Sequence, residues 1–312
     1  MNDQVIPCIA ACPEERKGSQ EKHAGVLGAT SFVGASLLPL LTAAGWQATA
    51  FTRKEVKNTG AGVVWQHLDS TASSSKRLPP GIKNIEAWIS VAPIWVLPDY
   101  FWRLEALGAK RLVVLSSTSR FSKQESNDPK EQATALHFVE GEARVRAWAE
   151  SRGVEWVILR PTLIYGLGRD KNIGEIARFI RRFGFFPLFG QANGLRQPIH
   201  AADVAGACLA ALQAPCAANH VYNISGGETL SYREMVTRVF VTLAKHPRLL
   251  TVPLWAFRLA VAPLRRLQRY RLWSAAMAER MNRDLVFDHA EAARDLGFKP
   301  RAFVLTAGDL PK

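Results

Sequence analysis

The stretch VLGATSFVGASLLPLL (Val26–Leu41) runs from an apolar segment, through a glycine, into a helical pattern. A strand that ends at Leu27, a tight turn at Gly28 and a helix that begins near Phe32 would direct several helix N-terminal amides at one place. Such amides, together with the positive end of the helix dipole, bind anions such as pyrophosphate. The stretch therefore predicts a phosphate-binding strand–turn–helix unit.

Two positions of the GxxGxxG arrangement that usually accompanies such a unit are occupied by Ser31 and Gly34. Gly34 would let the helix pack closely on the sheet, as the last glycine of a GxxGxxG arrangement does. Ser31 replaces the middle glycine of that arrangement. Its side chain must therefore turn away from the phosphate or hydrogen-bond to it.

Short apolar runs alternate with helical patterns from His23 onward. The runs are HAGVLG, WQATAFT, GVVWQHL, EAWISVA, KRLVVLSS and VEWVILR, with HVYNIS later in the chain. Gly45, Gly108 and Gly153 each stand just before the next run, where a helix C-cap favours a left-handed residue. The alternation predicts an α/β, Rossmann-type fold with a doubly wound parallel sheet.

The end of the second predicted strand indicates which dinucleotide such a fold would bind. An acidic residue about 20 residues after the glycine turn would accept hydrogen bonds from the NAD ribose. This chain has Thr52, Arg53 and Lys54 there instead. Cations and hydroxyl groups suit a 2′-phosphate, so the sequence favours NADP over NAD as the cofactor. The alternative is that Arg53 and Lys54 are solvated charges at a strand end.

The alternation weakens after Gly166, where the segment RFIRRFGFFPLFG is basic and aromatic. We expect a loose N-terminal tail over residues 1–22, an NAD(P)-binding core over 23–165 and mainly a smaller C-terminal substrate lobe over 166–312. Residues 196–225 would return to the core. The lobe would fold over the carboxyl ends of the strands, where open α/β sheets bind their ligands. Its aromatic residues would line the roof of a pocket or a homodimer contact.

Composition narrows the class of protein. With 48% hydrophobic residues among 312, the chain can bury a substantial core, and no window reaches the length of a transmembrane span. The four cysteines, Cys8, Cys12, Cys208 and Cys216, form neither a CxxC pair nor a disulfide framework. We therefore expect a reducing, cytoplasmic environment and no metal site.

The formal charge of +13 suits an anionic partner such as a nucleotide or an acidic membrane surface. Nucleic acid is disfavoured because no recognition motif accompanies the charge. The stretch FRLAVAPLRRLQRYRLW (residues 257–273) is basic and amphipathic, like a membrane-surface helix. Pro263 interrupts it, so a peripheral membrane contact and an ordinary lobe helix with solvated arginines both stay open.

Six motifs in chain order resemble one protein family: VLGATSFVG, HLDS, VVLSSTS, VILRPTLIYG, LRQPIHAADVA and VYNISGGETLSYREM. From about Ala24 to Phe303, the chain is similar to the extended short-chain dehydrogenase/reductase superfamily, in its NAD-dependent epimerase/dehydratase group. The glycine turn, the strand ends and this resemblance together give the candidate cofactor-binding residues: Gly28, Thr30, Ser31, Phe32, Val33, Gly34, Arg53, Asp69, Val91, Ala92 and Pro161.

The resemblance also implies positions for the substrate. Ser117 or Thr118 would lie near the reacting group, and Tyr165 and Arg196 would lie in the substrate lobe. A guanidinium forms bidentate contacts with phosphate. Arg196 is therefore the candidate for binding the pyrophosphate of a nucleotide sugar.

In that family a tyrosine, with a lysine four residues later on the same helix, performs proton transfer. Counting back from Glu142, which fits the acidic residue that usually follows the pair, puts Thr134 in the tyrosine position and Phe138 in the lysine position. No YxxxK sequence occurs between Ser119 and Glu142. The usual acid/base pair is therefore missing.

His137 is the first candidate substitute, because a histidine titrates in the range that proton transfer needs. It precedes the lysine position by one residue, so it points about 100° away from that direction on a helix, and an ordinary partly buried histidine is the alternative. Tyr165 is the second candidate. With Ser117 and Thr118, these residues make up the predicted catalytic set. Asp203 is expected to cap the helix that it begins.

Two functions follow from these predictions. The first is an NADP-preferring oxidoreductase or epimerase that acts on a nucleotide sugar or a similar phosphate-bearing substrate, with proton transfer rerouted through His137, Tyr165 or water. The second is a catalytically silent NADPH-binding protein with a regulatory or assembly role.

Overall fold

The computed structural model describes residues 22–53, 56, 61–68, 84–255 and 275–312. The sequence predictions that lie outside these ranges concern residues 1–21 of the tail, including Cys8 and Cys12, together with Lys54, Asp69 and the basic stretch 257–273.

A seven-stranded parallel sheet forms the centre of the molecule, in the spatial order β11-β6-β5-β4-β1-β2-β3. Its strands are β1 (His23–Leu27), β2 (Gln47–Thr52), β3 (Val63–His67), β4 (Ala87–Ser90), β5 (Arg111–Leu115), β6 (Glu155–Pro161) and β11 (His220–Ile224). Each strand corresponds to one of the seven predicted runs. The predicted Rossmann-type parallel sheet is confirmed.

Helices cover both faces of this sheet. They are α1 (Phe32–Ala43), α2 (Phe101–Ala106), α3 (Ser119–Ser122), α4 (Pro129–Arg152) and α6 (Ala201–Gln213), with 3-10 segments at Ile94–Tyr100 and Pro215–Ala217. Successive strand residues point to opposite faces. Val26 accordingly packs in the core beneath α1 and α6, whereas Leu27 packs in the core beneath α4. The predicted left-handed glycines are confirmed, with φ of +77° at Gly45, +74° at Gly108 and +63° at Gly153.

Helix α6 begins earlier than predicted and is capped by a different residue. It starts at Ala201, and the His200 ring accepts a hydrogen bond from the Ala202 amide at 3.1 Å. Asp203 lies within the first turn and binds the Arg301 side chain at 2.9 Å. The prediction that Asp203 begins and caps this helix is therefore wrong, because a histidine ring satisfies the N-terminal amide.

The lobe has its own core beside the carboxyl ends of the strands. Its elements are β7 (Ile164–Tyr165), α5 (Ile173–Phe183), β8 (Phe186–Phe189), β9 (Leu195–Arg196), β10 (Ile199–His200), β12 (Leu230–Ser231), α7 (Tyr232–Thr242), β13 (Leu249–Val252), α8 (Ala275–Arg280) and a 3-10 segment at Ala307–Asp309. The last helix, α9 (Ala290–Leu296), instead buries Ala292 and Leu296 in the core shared by α1 and α6. Part of the segment predicted for the lobe thus packs on the sheet, and the predicted domain boundaries stay a prediction.

No helix within the described ranges is long and apolar enough to cross a bilayer.

Candidate functional site

A cleft of about 1120 Å³ lies between the carboxyl ends of β1, β4, β5 and β6 and the lobe. The sheet side contributes Ser31, Phe32, Val33, Val91, Ala92, Ser117, Thr118, Lys123, Phe138 and Pro161. The lobe contributes, among others, Arg169, Asp170, Phe179, Phe186, Arg196, Tyr232 and Arg280. Six predicted site residues that the structure describes are not part of this lining: Gly28, Thr30, Gly34, Arg53, His137 and Tyr165.

The turn after β1 has the geometry of an anion site. Ser31 caps α1, and its Oγ accepts a hydrogen bond from the Gly34 amide at 3.0 Å. The amides of Phe32 and Val33 have no acceptor within the described residues, and both residues line the cleft. Gly28 has φ +77°, and a Cβ there would lie 2.5 Å from the Ala92 nitrogen. These features fit the pyrophosphate of a dinucleotide, since the first amides are free to donate and no side chain fills the turn.

Gly34 is required for a different reason from the one predicted. A Cβ on Gly34 would collide with the carbonyl group of Ala29, in the turn that precedes α1. The close contact is thus between the first turn of α1 and the loop before it, rather than between the helix and the sheet. Gly34 keeps the turn and the helix together.

Arg53 directly follows β2 and is exposed, whereas Thr52 is buried. No ion pair of Arg53 occurs within the ranges that the structure describes. This is the strand end at which a Rossmann fold contacts the adenosine ribose. A role of Arg53 in binding a 2′-phosphate stays a prediction.

The loop after β5 is fixed to the end of β6. The amide and the hydroxyl of Thr118 both donate to the Pro161 carbonyl oxygen, at 3.1 and 3.2 Å. The Ser117 Oγ accepts from the Ser119 amide at 3.0 Å. Ser117 and Thr118 therefore line the cleft from a held backbone, but the Thr118 hydroxyl is engaged with protein.

A buried carboxylate supports this loop from below. Glu142 accepts hydrogen bonds from the Ser116 hydroxyl at 2.6 Å, from two Arg160 nitrogens at 2.9 and 2.6 Å, and from Arg120. Burial by itself would raise the pKa of Glu142, but the hydrogen bonds from Arg160 and Ser116 outweigh it, so the net pKa is lowered. Glu142 is thus a buried anion that joins α3, α4, β6 and the loop after β5.

Helix α4 carries the residues in the predicted tyrosine and lysine positions. The Thr134 hydroxyl donates to the Lys130 carbonyl oxygen at 2.8 Å. Phe138 lines the cleft and packs edge-on against Trp95, with ring centroids 5.2 Å apart. His137 is exposed, and its ring centroid lies 5.7 Å from that of Trp95. An aromatic pair thus occupies the place where a lysine would be expected.

Tyr165 lies in the core of the lobe. Its side chain is fully buried, with its ring edge-on to His200 at 5.1 Å and to Phe303 at 4.9 Å. Burial, with a contribution from the charge on Asp309, raises its pKa to about 12. Tyr165 is therefore packed away from the cleft, and a high pKa keeps its phenol neutral at ordinary pH.

Arg196 lines the cleft and is 5% exposed. It donates to the carbonyl oxygens of Leu195 and Arg283, both at 2.7 Å, and to that of Arg280. Two of its five N–H groups have no acceptor within the described residues. Burial lowers its pKa to about 10, so the group stays charged and the interior of the cleft is positive.

Sequence reasoning missed several cations of the cleft. Lys123 lines it, and burial together with the charge on Arg280 lowers the pKa of this lysine. Arg280, on α8, pairs with Glu131. Arg169 lies four residues after Tyr165, the tyrosine of the VILRPTLIYG motif, and this proximity is the sequence feature that could have indicated a role for Arg169. Lys123 and Arg280 had no such feature, because contacts between remote segments bring them to the cleft.

The fold and the cleft define a Rossmann-type α/β protein with a smaller lobe beside the carboxyl ends of the strands. Residues 101–225 match the model of the NAD dependent epimerase/dehydratase family. The chain is 24% identical to the UDP-glucose 4-epimerase of Vibrio cholerae, over 93% of each chain. The predicted resemblance to the extended short-chain dehydrogenase/reductase superfamily, in this epimerase/dehydratase group, is confirmed.

Two further similarities differ in extent. The solved structure of MoeE5 in complex with UDP-glucose and NAD has a TM-score of 0.66 and 21% identity, over 89% of this chain and 93% of that chain. This similarity concerns the fold. NADH dehydrogenase (ubiquinone) 1 alpha subcomplex subunit 9, mitochondrial, from Arabidopsis thaliana is 26% identical over 110 residues, which are 35% of this chain and 27% of that protein.

Proposed function

We propose that the cleft binds a nicotinamide dinucleotide, preferably NADP(H), and that the chain acts as an oxidoreductase or epimerase on a nucleotide sugar or a similar phosphate-bearing substrate. The observation that carries this proposal is the continuity of the cleft. It runs from the amides of Phe32 and Val33, past Ser117, to Arg196. A dinucleotide and a second anionic molecule would then meet within one enclosed space.

The chain's own residues supply binding and orientation. The first amides of α1 would hold the pyrophosphate, and Val91 and Ala92 would lie beside the ribose. When bound, the nicotinamide would supply hydride exchange with the substrate. The positive charge of Arg196 would hold the phosphate groups of the substrate, because two of its N–H groups have no acceptor within the described residues and phosphate oxygens can accept from both.

The site lacks an obvious group for proton transfer. Thr134 and Phe138 cannot act as acid or base, and the Trp95–Phe138 pair excludes charge from the lysine position. Rerouting through His137, Tyr165 or water stays part of the proposal. The exposure of His137 and the burial of Tyr165 favour water. Turnover should therefore be slow.

A catalytically silent NADPH-binding protein with a regulatory or assembly role is the second candidate. The packing of Phe138, in the lysine position, against Trp95 favours this second function. A binding protein needs the cofactor but not the acid/base pair. The similarity to a subunit of NADH dehydrogenase (ubiquinone) points the same way, although it spans 27% of that protein. A cytoplasmic location, a homodimer and a membrane contact of residues 257–273 stay predictions.

Calorimetric titration with NADPH, NADP, NADH and NAD tests the cofactor part. Arg53→Asp should weaken NADPH binding about tenfold or more, equivalent to roughly 1.4 kcal/mol, because it places a negative charge opposite the 2′-phosphate. Arg144→Asp, at an exposed position of α4, is the matched control and should bind as the wild type does. An unchanged preference of Arg53→Asp for NADPH would exclude Arg53 as the residue that selects NADP, and a wild-type protein that binds NAD at least as tightly as NADP would exclude the NADP assignment.

Turnover on UDP-glucose and UDP-glucuronic acid, followed by product analysis, separates the two functions. Slow but cofactor-dependent conversion supports the enzyme. Tight NADPH binding without conversion of these or of related nucleotide sugars supports the binding protein.

A further inference from the structure

The loop that leads from β7 to α5 has an unusual backbone. Three consecutive residues have positive φ: Gly166 at +125°, Leu167 at +56° and Gly168 at +63°. Glycine adopts this region freely, but Leu167 carries a Cβ that opposes it. Such backbone persists where the surrounding structure enforces it, and it concentrates at ligand sites.

The C-terminal segment and Asp170 fix this loop from both sides. The Gly168 amide donates to the Asp309 carbonyl oxygen at 3.1 Å, and the Asp309 carboxylate contacts His200 at 3.0 Å. Asp170 is buried and accepts from the amides of Asn172 at 2.9 Å and Gly174 at 3.1 Å. The residue between these two anchors, Arg169, is therefore presented from a defined position.

Arg169 reaches from the lobe to the phosphate-binding turn. Its Nη2 donates to the Thr30 carbonyl oxygen at 2.7 Å, across 139 residues of sequence. The same cleft is lined by Arg169, Phe32 and Val33. Within the described residues, Arg169 has no acidic partner, and the Phe32 and Val33 amides have no acceptor.

Two sources of positive potential thus converge in the cleft: the first amides of α1 and the Arg169 guanidinium. A cation near a helix N-terminus is unfavourable, because the helix dipole already places positive charge there. An anion that accepts from both the amides and the guanidinium would turn this repulsion into attraction. Guanidinium nitrogens suit phosphate oxygens, since they can donate two parallel hydrogen bonds.

We propose that Arg169 binds the pyrophosphate of the dinucleotide from the side opposite the α1 amides, so that the lobe contributes directly to cofactor binding. The inference rests on the proposed function only in requiring that a dinucleotide binds. The pyrophosphate is favoured over a substrate phosphate because Arg169 contacts the turn before α1, whereas Arg196 lies on β9 and donates to the carbonyl oxygens of Arg280, which ends α8, and of Arg283.

The test compares Arg169→Gln with Arg178→Gln by calorimetric titration. Arg178 also lines the cleft from the lobe but pairs with Glu175 at 2.8 Å, so it is a matched control. Arg169→Gln should weaken the binding of NADP and of NAD alike, by about tenfold or more, because the pyrophosphate is common to both. Binding of adenosine 2′-monophosphate, which has no pyrophosphate, should stay unchanged. Arg178→Gln should change none of these affinities.

Arg169→Lys keeps the positive charge but loses the bidentate geometry, so its affinity should fall between those of the wild type and Arg169→Gln. Unchanged dinucleotide affinity in Arg169→Gln would overturn the inference while leaving the proposed function in place. Equal weakening of adenosine 2′-monophosphate would also overturn it, because the effect would then come from the fold. A wild-type protein that binds no dinucleotide would instead contradict the proposed function itself.

Discussion

The two ends of the cleft keep different parts of the chemistry expected of this family. At the end of β1, Gly28, Ser31 and Gly34 form a turn that leaves two helix amides available for an anion. On α4, Thr134 and Phe138 stand where tyrosine and lysine would be expected, and Phe138 packs against Trp95. The first region has the groups that binding requires. The second lacks, at these two positions, the groups that proton transfer requires.

This difference teaches that the two tasks belong to separate segments. The turn depends on its backbone conformation and on close backbone contacts at Gly28 and Gly34 that leave no room for a Cβ. Proton transfer depends on the identity of two side chains on α4, and substituting them need not disturb the backbone. The fold can therefore retain a dinucleotide site after the acid/base pair has gone, and substitutions in one segment should leave the other intact.

Restoring the pair should have the largest effect. The double substitution Thr134→Tyr with Phe138→Lys should raise turnover on a nucleotide sugar by roughly 100-fold or more, because a positioned acid/base contributes about 100- to 10,000-fold. Thr134 and Phe138 are four residues apart on α4, so the new side chains would lie on one face, and the ammonium would lower the pKa of the phenol. Steady-state rates at saturating NADP, the oxidised form that can accept a hydride from the sugar, measure the gain.

Phe138→Lys alone is the control and should give no gain, since it supplies the cation without the acid. Dinucleotide affinity should be similar in all three proteins. A double variant that binds the dinucleotide but turns over no faster would show that these positions do not face the reacting group, and the contrast between the two regions would lose its basis.

Gly34→Val should have the next largest effect, on the other region. The new side chain would collide with the Ala29 carbonyl group, at a cost of about 1–3 kcal/mol of unfolding free energy. Forcing the turn away from α1 should also remove the stabilisation that the cofactor provides. Thermal denaturation with and without NADPH measures both quantities.

Ala35→Val is the matched control, because Ala35 is the next residue of α1 and is exposed. It should lose only the small difference in helix propensity between alanine and valine, and it should keep its response to NADPH. If Gly34→Val kept a normal cofactor-induced shift, the turn would not be the dinucleotide site.

The sheet and the phosphate turn were predictable because their signals are local. Alternating apolar runs set the strands, and a glycine at the end of β1 fits the positive φ of Gly28. The contact of Gly34 with Ala29 was not predictable, since the sequence does not show which backbone the glycine approaches. The prediction that Asp203 caps α6 was wrong for a related reason, because Asp203 pairs with Arg301, which is 98 residues away in the sequence.

The candidate site was less predictable than the fold. The motifs indicated Ser117, Thr118 and Arg196, which line the cleft. They could not indicate that Tyr165 is sealed in the lobe core or that Arg169 reaches Thr30, because both depend on how the lobe packs against the sheet. The sequence also could not show which side chains of α4 are exposed, and this decides whether His137 can reach the cleft.

The smallest effect should come from His137→Ala, and it tests whether α4 retains any proton-transfer group. A general base must come within hydrogen-bonding reach of the proton that it removes, directly or through one water. The His137 ring is exposed beside Trp95 and is not part of the cleft lining. We therefore expect turnover to change less than about twofold and unfolding free energy to change by about 0.5 kcal/mol or less, as at other surface positions.

Phe138→Ala, one residue further along α4, is the contrasting variant. It removes a side chain that does line the cleft, so it should alter turnover more than His137→Ala does while NADPH affinity stays similar. The rate should be followed across pH 5 to 8, where histidines ordinarily titrate. A different result is possible for His137→Ala: no turnover, unchanged NADPH affinity and a rate that no longer depends on pH between 5 and 8. That result would mean that His137 reaches the substrate once the substrate is bound. Helix α4 would then keep a rerouted acid/base group, and the division between a retained binding region and a lost catalytic one would fail at this residue.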